Sequence, residues 1–198
     1  PEGIFLISYN FANCIPAKNI LQYLEMEVGI MSYDYVAPEM WKKLALDFSK
    51  RWLAHDGLWF QAVESNFGID NAIKCDIEAW EKMTVLEAKR IMELLNIEPG
   101  GGLEALEQCL KYRLYSFLNE QEIKRVDDKT LIFSMNACRV QAARQKKGLE
   151  FFQCKPVGVV EYGNFAKTVD PRIKTRCIGC PPDEVPPEWH CCWEFTIE

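Results

Sequence analysis

Six of the nine cysteines in this 198-residue chain fall in its last 61 residues: Cys138, Cys154, Cys177, Cys180, Cys191 and Cys192. A thiolate is both a nucleophile and a soft metal ligand, so a cluster of this density has a chemical reading. The order is Cys138, fifteen residues, Cys154, twenty-two residues, Cys177, two residues, Cys180, ten residues, Cys191. Zinc takes four thiolate or imidazole ligands in a tetrahedron, and this order supplies candidates from separate elements that can converge. One Cys-x2-Cys knuckle is present and a second is absent, so the pattern is not that of a zinc ribbon. Strand alternation sets Cys192 on the face opposite Cys191, and Trp193, Phe195 and Ile197 share the Cys191 face as the core side. The same alternation turns His190 away from Cys191. The metal candidates are therefore Cys138, Cys154, Cys177, Cys180 and Cys191, with zinc favoured over an iron–sulfur cluster. A cysteine nucleophile paired with His55 or His190, or no bound species at all, are the competing readings. Cys14, Cys75 and Cys109 are scattered and read as ordinary cysteines.

A second group with chemical potential is His55-Asp56, between Trp52 and Trp59. Helical spacing puts the pair on or beside an apolar seam, where a tuned acid/base pair is one reading. A hydrogen-bonded core histidine, or a helix break at Gly57 capped by Asp56, is the blander reading and the stronger.

The elements that must position these groups follow from periodicity. Residues 1–36 form an N-terminal arm or extension, with a short strand at Ile4–Ile7, a helix at Ile20–Val28, and Met31 as an alternative start. Residues 37–198 form one α+β domain, helical over 37–118, with a small antiparallel sheet, helices and the cysteine cluster over 119–198. Pro38 opens a helix, and Trp41, Leu44, Phe48, Trp52, Trp59, Val63 and Phe67 recur at helical spacing. Asp70 and Asp76 are assigned as caps, the second opening a helix with Trp80, Met83, Leu86 and Ile91 on its apolar face. Pro99 to Gly102 is a breaker, lacking the pattern of a phosphate loop, and Leu103–Phe117 is a further helix. The period then switches to two. Glu120–Val126 and Thr130–Met135 make a hairpin about Asp127-Asp128-Lys129. Cys138–Lys147 reads as a helix whose Arg139, Arg144, Lys146 and Lys147 form a solvated face. Cys154–Phe165 is a helix, Arg172–Cys177 a strand, Pro181–Pro187 a loop and Cys191–Ile197 the last strand.

Composition bounds the function. Hydrophobic residues make up 48% of the chain and the net charge is −6. An acidic chain without a basic stripe argues against nucleic acid or an anionic membrane as the main partner. No apolar run reaches membrane-spanning length, and the first residues lack the order of a secretory signal. An odd number of cysteines, one pair at knuckle spacing, fits the reducing cytoplasm.

Several stretches resemble an uncharacterised prokaryotic "cytosolic protein" family over roughly residues 40–198. They are Ala54-His55-Asp56-Gly57-Leu58-Trp59-Phe60, Cys138-Arg139-Val140-Gln141, Cys154-Lys155-Pro156-Val157-Gly158, Cys177-Ile178-Gly179-Cys180-Pro181-Pro182-Asp183 and Cys191-Cys192-Trp193-Glu194-Phe195. More loosely, the Cys138 helix, Cys154 and the final Cys-x-aromatic-x-Phe resemble the L-2-amino-thiazoline-4-carboxylic acid hydrolase family, which opens a thiazoline ring. More distantly, Cys154, Cys177 and Cys191 are similar to cysteines of the 4-vinyl reductase domain and related phenol sensors. There, such cysteines and one glutamate hold zinc beside an aromatic-ligand pocket, and Cys138 stands where that glutamate would be. Cys180 has no counterpart in that pattern. The resemblance implies an α+β domain that encloses a small-molecule pocket and often forms a homodimer.

Two functions are expected from this. One is a cytosolic small-molecule-binding domain with a thiolate-bound zinc, Trp52, Trp59, Phe60, Trp80 and Trp193 being candidate pocket walls. The other is a metal-assisted hydrolase of a small cyclic amide or thioimidate, with His55, Asp56 and Glu161 as general acid/base candidates. An interaction module burying its arm and aromatic faces against a partner ranks third.

Overall fold

The computed structural model describes residues 33–198, and the strand and helix expected at Ile4–Ile7 and Ile20–Val28 lie outside the described residues. Residues 42–198 group as one compact unit. Residues 33–41 belong to a separate unit and contain a turn and the first residues of a helix.

The helical part is three helices and a short 3-10 turn. They are α1 (Pro38–Phe67), α2 (Ile69–Leu95), α3 (Gly102–Lys111) and the turn Leu114–Phe117. Between α1 and α2 stands Gly68 at φ 84, a backbone conformation that a Cβ resists. Asn96, also left-handed, closes α2, its backbone N–H directed to the carbonyls of Met92 and Glu93.

The second part supplies the sheet. Strands β1 (Glu120–Asp127) and β2 (Thr130–Ala137) form the expected hairpin, followed by α4 (Arg139–Lys146), α5 (Lys155–Val169), β3 (Lys174–Gly179) and β4 (Cys191–Thr196). The four strands are antiparallel in the order β1-β2-β4-β3. The fold is α+β, a helix-rich N-terminal part followed by a four-stranded antiparallel sheet with helices.

Alternation does most of the core assignment. Leu131, Phe133 and Met135 of β2 and Trp193 and Phe195 of β4 point into one cluster with Tyr162, Phe165 and Val169 of α5 and Leu106 and Leu110 of α3. Tyr162 stacks on Trp193 at 4.7 Å between centroids. Gly158 is where α5 crosses the indole: a Cβ there would lie 2.7 Å from the Trp193 ring.

Helices α2 and α5 are joined by polar groups in the interior. Thr84 donates to the Glu161 carbonyl at 2.8 Å. Arg113, only 2% exposed, donates from Nε and Nη2 to Glu87 Oε2 at 2.9 and 2.7 Å. Its Nη2 also lies 2.6 Å from Glu161 Oε1. The Phe165, Tyr162, Tyr115 and Trp80 rings surround the guanidinium at 4.8, 5.3, 5.7 and 5.9 Å. A second polar tie closes the far end: Asp170 accepts from the Gly102 amide at the start of α3 and from Arg172.

Four sequence expectations are corrected here. The α1 stripe holds only in part: Trp52 turns inward as expected, but Phe48, Trp59 and Phe67 are exposed, and Ser49, Leu53, Asp56 and Phe60 share the inner side with Trp52. Apolar side chains stood on both flanks of the buried face, so periodicity took in part of the wrong flank. The helix also runs through Gly57, so Asp56 caps no break there. Neither Asp70 nor Asp76 is a cap, because α2 is continuous from Ile69 to Leu95 and Gly68 stands at its N-cap. Arg144 is not on a solvated face but buried, in a two-pronged pair with Glu64 of α1 at 2.8 and 2.9 Å.

Removing the Arg113 guanidinium strands two buried carboxylates. Arg113→Ala is expected to lower the unfolding free energy by about 3–5 kcal/mol, read as a fall in the urea midpoint.

Candidate functional site

A cavity of about 890 Å³ opens between α1, α4, α5 and the start of β4. Two sets of chemistry-bearing side chains line it. Cys138, Cys154, Cys180 and Cys191 form one, and Asp56, Asp76 and Glu161 the other.

The thiols arrive at the cavity from element ends. Cys138 follows β2 and precedes the first turn of α4, and the Ala142 amide donates to its carbonyl at 3.0 Å. The α4 start is held by Asn119, whose side-chain oxygen accepts from the Arg139 amide at 3.0 Å. Cys154 occupies the N-cap of α5, with Pro156 in the first turn. Gln141 ties the two together: its side chain exchanges hydrogen bonds with the Phe152 backbone at 2.8 and 2.9 Å, and its amide lies 3.7 Å from Cys154 Sγ.

Cys180 reaches the site because β3 is irregular. Cys177 pairs with Trp193 but Gly179 with Cys192, so Ile178 is an extra residue that breaks the alternation. The following loop is then pinned to the head of α5. Lys155 donates its amide to the Pro181 carbonyl at 2.9 Å and its ammonium to Asp183 at 2.7 and 2.9 Å. The peptide between Pro181 and Pro182 is cis. The result is a contact of 3.4 Å between Cys154 Sγ and Cys180 Sγ.

The hydrogen bond from Cys180 draws the Cys154 thiol below its ordinary pKa, and the Cys180 thiol, as donor to Cys154 and neighbour of Cys191, is driven far up. Burial pushes Cys138 up to about 12 and Cys177 to about 11. Ionisation of Cys154 is thus favoured, at a helix N-terminus that stabilises negative charge.

Among the described residues, no group of three or more His, Cys, Asp or Glu side chains stands in an arrangement that could hold a metal ion. A tetrahedral zinc site with bonds of about 2.3 Å sets its sulfurs about 3.8 Å apart, so the 3.4 Å pair approaches one edge of such a site. Of the five predicted ligands, Cys177 is not among the cavity-lining residues and the other four are. His190 does line the cavity, contrary to the alternation argument, since it precedes the first residue of β4 and is not bound by strand geometry. Cys75 is exposed and Cys109 is buried in the core, both apart from the cavity; Cys14 lies outside the described residues.

The acids come from three helices. His55 is exposed and is not among the lining residues, whereas Asp56 and Glu161 line the cavity together. Burial raises the Asp56 pKa against the opposing pull of His55. Burial also raises Glu161, with Arg113 opposing. Asp76 is pushed to about 7 by burial and by the charges of Asp56 and Glu161. Of the five aromatic candidates, Phe60, Trp80 and Trp193 line the cavity, Trp59 is 69% exposed, and Trp52 packs behind Trp80 at 6.2 Å.

Sequence reading missed Asp76, Gln141 and Tyr115 as members of this site, and Arg113 as the buried partner of Glu161 behind it. A signal existed for one of them: Asp76, Trp80, Thr84 and Glu87 recur at helical spacing as a polar seam along α2. Nothing local marks Arg113 as buried.

Fold and cavity define an α+β domain with a thiol-bearing and an acid-bearing wall around one internal space. The chain belongs to a family of unknown function, DUF6125, whose model matches residues 34–197. No curated protein and no solved structure matches it, so the resemblances to the thiazoline hydrolases and vinyl reductase domains stand on the quoted residues alone. No helix among the described residues is long and apolar enough to cross a membrane.

The raised Asp76 pKa has a consequence for stability. Between the unfolded value near 3.8 and the folded value near 7 the native state retains a proton that the unfolded chain has lost. The stabilisation is therefore complete below pH 3.8 and is lost as pH rises through 7. Asp76→Asn is expected to flatten the fall in unfolding free energy between pH 5 and pH 8, read from urea titrations, by an amount on the order of 2–4 kcal/mol.

Proposed function

We propose that this protein is a cytosolic small-molecule-binding domain whose cavity wall carries a thiolate site for zinc. The observation that carries the reading is a cavity of about 890 Å³ with four thiols and three carboxyls on its walls. That volume lies in the range of drug-sized ligand pockets, and its aromatic lining with a few convergent polar groups is what such pockets share. The ligands best placed for zinc are Cys138, Cys154, Cys180 and Cys191. The contact between Cys154 and Cys180 supports one edge of the site. Completing it requires rotation of the remaining thiols about their Cα–Cβ bonds, between staggered wells. Four thiolates would leave no open position, and zinc held that way would brace the head of α5 against the sheet.

A metal-assisted hydrolase of a small cyclic amide or thioimidate is the second reading. The observation favouring it is Asp76, with a pKa of about 7 on the same cavity as the thiols. Such a carboxyl can take and return a proton near neutral pH.

Protein purified without added metal is expected to carry about one zinc per chain, with four thiols protected from alkylation. Cys154→Ser should lose the metal and Cys177→Ser should keep it. Three protected thiols and a water on the metal would favour the hydrolase. Absence of metal, with every cavity thiol reactive, would overturn the zinc assignment.

A further inference from the structure

The acid-bearing wall carries more acidic groups than its one buried cation meets. Asp56, Asp76 and Glu161 face one space from α1, α2 and α5. The buried cation nearest them, Arg113, gives both of its hydrogen bonds to Glu87. Arg113 Nη2 also lies 2.6 Å from Glu161 Oε1, so its one charge is shared between Glu87 and Glu161, and no Lys or Arg among the described residues forms an ion pair with Asp56 or Asp76. Glu161 is 8% exposed. One buried polar group on this cavity has no partner: the indole N–H of Trp193, a residue 1% exposed. Buried polar atoms are almost always paired, so this orphan on the cavity points to a group that a bound molecule would supply.

The other lining charges are differently placed. Lys50, Lys146 and Lys147 are exposed at the rim, where solvent screens them. Arg144 is committed to Glu64, and Arg139 to the Leu118 carbonyl. The lining groups left without a counter-charge are therefore acidic ones. Phe60, Trp80 and Tyr115 stand on the same walls, with Trp80 and Tyr115 stacked at 6.0 Å. Negative ring faces beside carboxylates favour an organic cation over an anion.

We propose that the cavity takes a small organic amine, its cationic head against Asp56, Asp76 and Glu161 and its apolar body against Phe60, Trp80 and Tyr115. The proposal rests on the reading of the cavity as a ligand site and adds the chemical class of the ligand. The cavity is large for a bare ion and has the walls for a carbon skeleton. The Trp193 N–H is left to meet an acceptor on the same molecule.

The test is calorimetric titration of the full chain with three probes of matched size: 2-phenylethylamine, 2-phenylethanol and 3-phenylpropionate. The amine is expected to bind at least about tenfold more tightly than the alcohol, and the carboxylate most weakly. The double variant Asp56→Asn, Asp76→Asn should erase that preference while still binding the alcohol. If it fails to fold by circular dichroism, Asp76→Asn alone is read, with a reduced preference expected. Equal binding of alcohol and amine, or tightest binding of the carboxylate, overturns the amine assignment and leaves the pocket reading intact. No heat from any of the three overturns both.

Discussion

The structure depends on one buried cation. Arg113 sits between α2 and α5, hydrogen-bonded to Glu87 and in contact with Glu161, inside a ring of four aromatic side chains. A guanidinium out of water is costly unless its donors and its charge are met. Both helices must therefore present a carboxylate to it, which fixes their relative rotation. The same rotation sets Trp80 and Tyr115 beside the cavity and leaves the second carboxylate, Glu161, facing that space. One positive charge against two carboxylates leaves a negative residue, and Asp56 and Asp76 add to it. The raised Asp76 pKa is the electrostatic trace of that arrangement.

The thiol side of the cavity is organised by chain ends. Three devices bring the sulfurs inward: the α5 N-cap, the extra residue in β3, and the Lys155–Asp183 pair that holds the following loop. Helix N-termini and strand bulges are where backbone groups lack regular partners, so side chains there are re-aimed at little further cost. Gln141 then locks the segment between α4 and α5 by pairing with the Phe152 backbone. The two walls are chemically distinct, and α5 contributes to both, with Cys154 at its head and Glu161 two turns on. A ligand between them would report on both.

Helix α1 closes one side by sparse contacts. Trp52 packs edge-on against Trp80 and Tyr115, Phe60 against Phe152, and Glu64 pairs with Arg144. Its outer flank exposes Phe48, Leu58 and Trp59. A wall held by a few side chains opens more readily than one sealed in a core, and α1 is the wall that carries Asp56.

Much of the architecture was legible in the sequence. The change of period from helical to two near Glu120 marked the passage from helices to sheet, because side-chain direction follows backbone geometry. The hairpin, α4, α5 and both late strands emerged close to their observed bounds for the same reason. Cysteine spacing marked the thiol wall, since local chemistry is written in residue type. What the sequence alone left open were relations across distance. Which flank of α1 is buried, that Cys180 lies beside Cys154, and that Arg144 pairs with Glu64 are decided by packing between segments far apart in the chain. Arg113 and Asp76 show the reason most clearly. Their environments are made by residues of other helices, and burial, unlike helical period, is a property of the assembled fold.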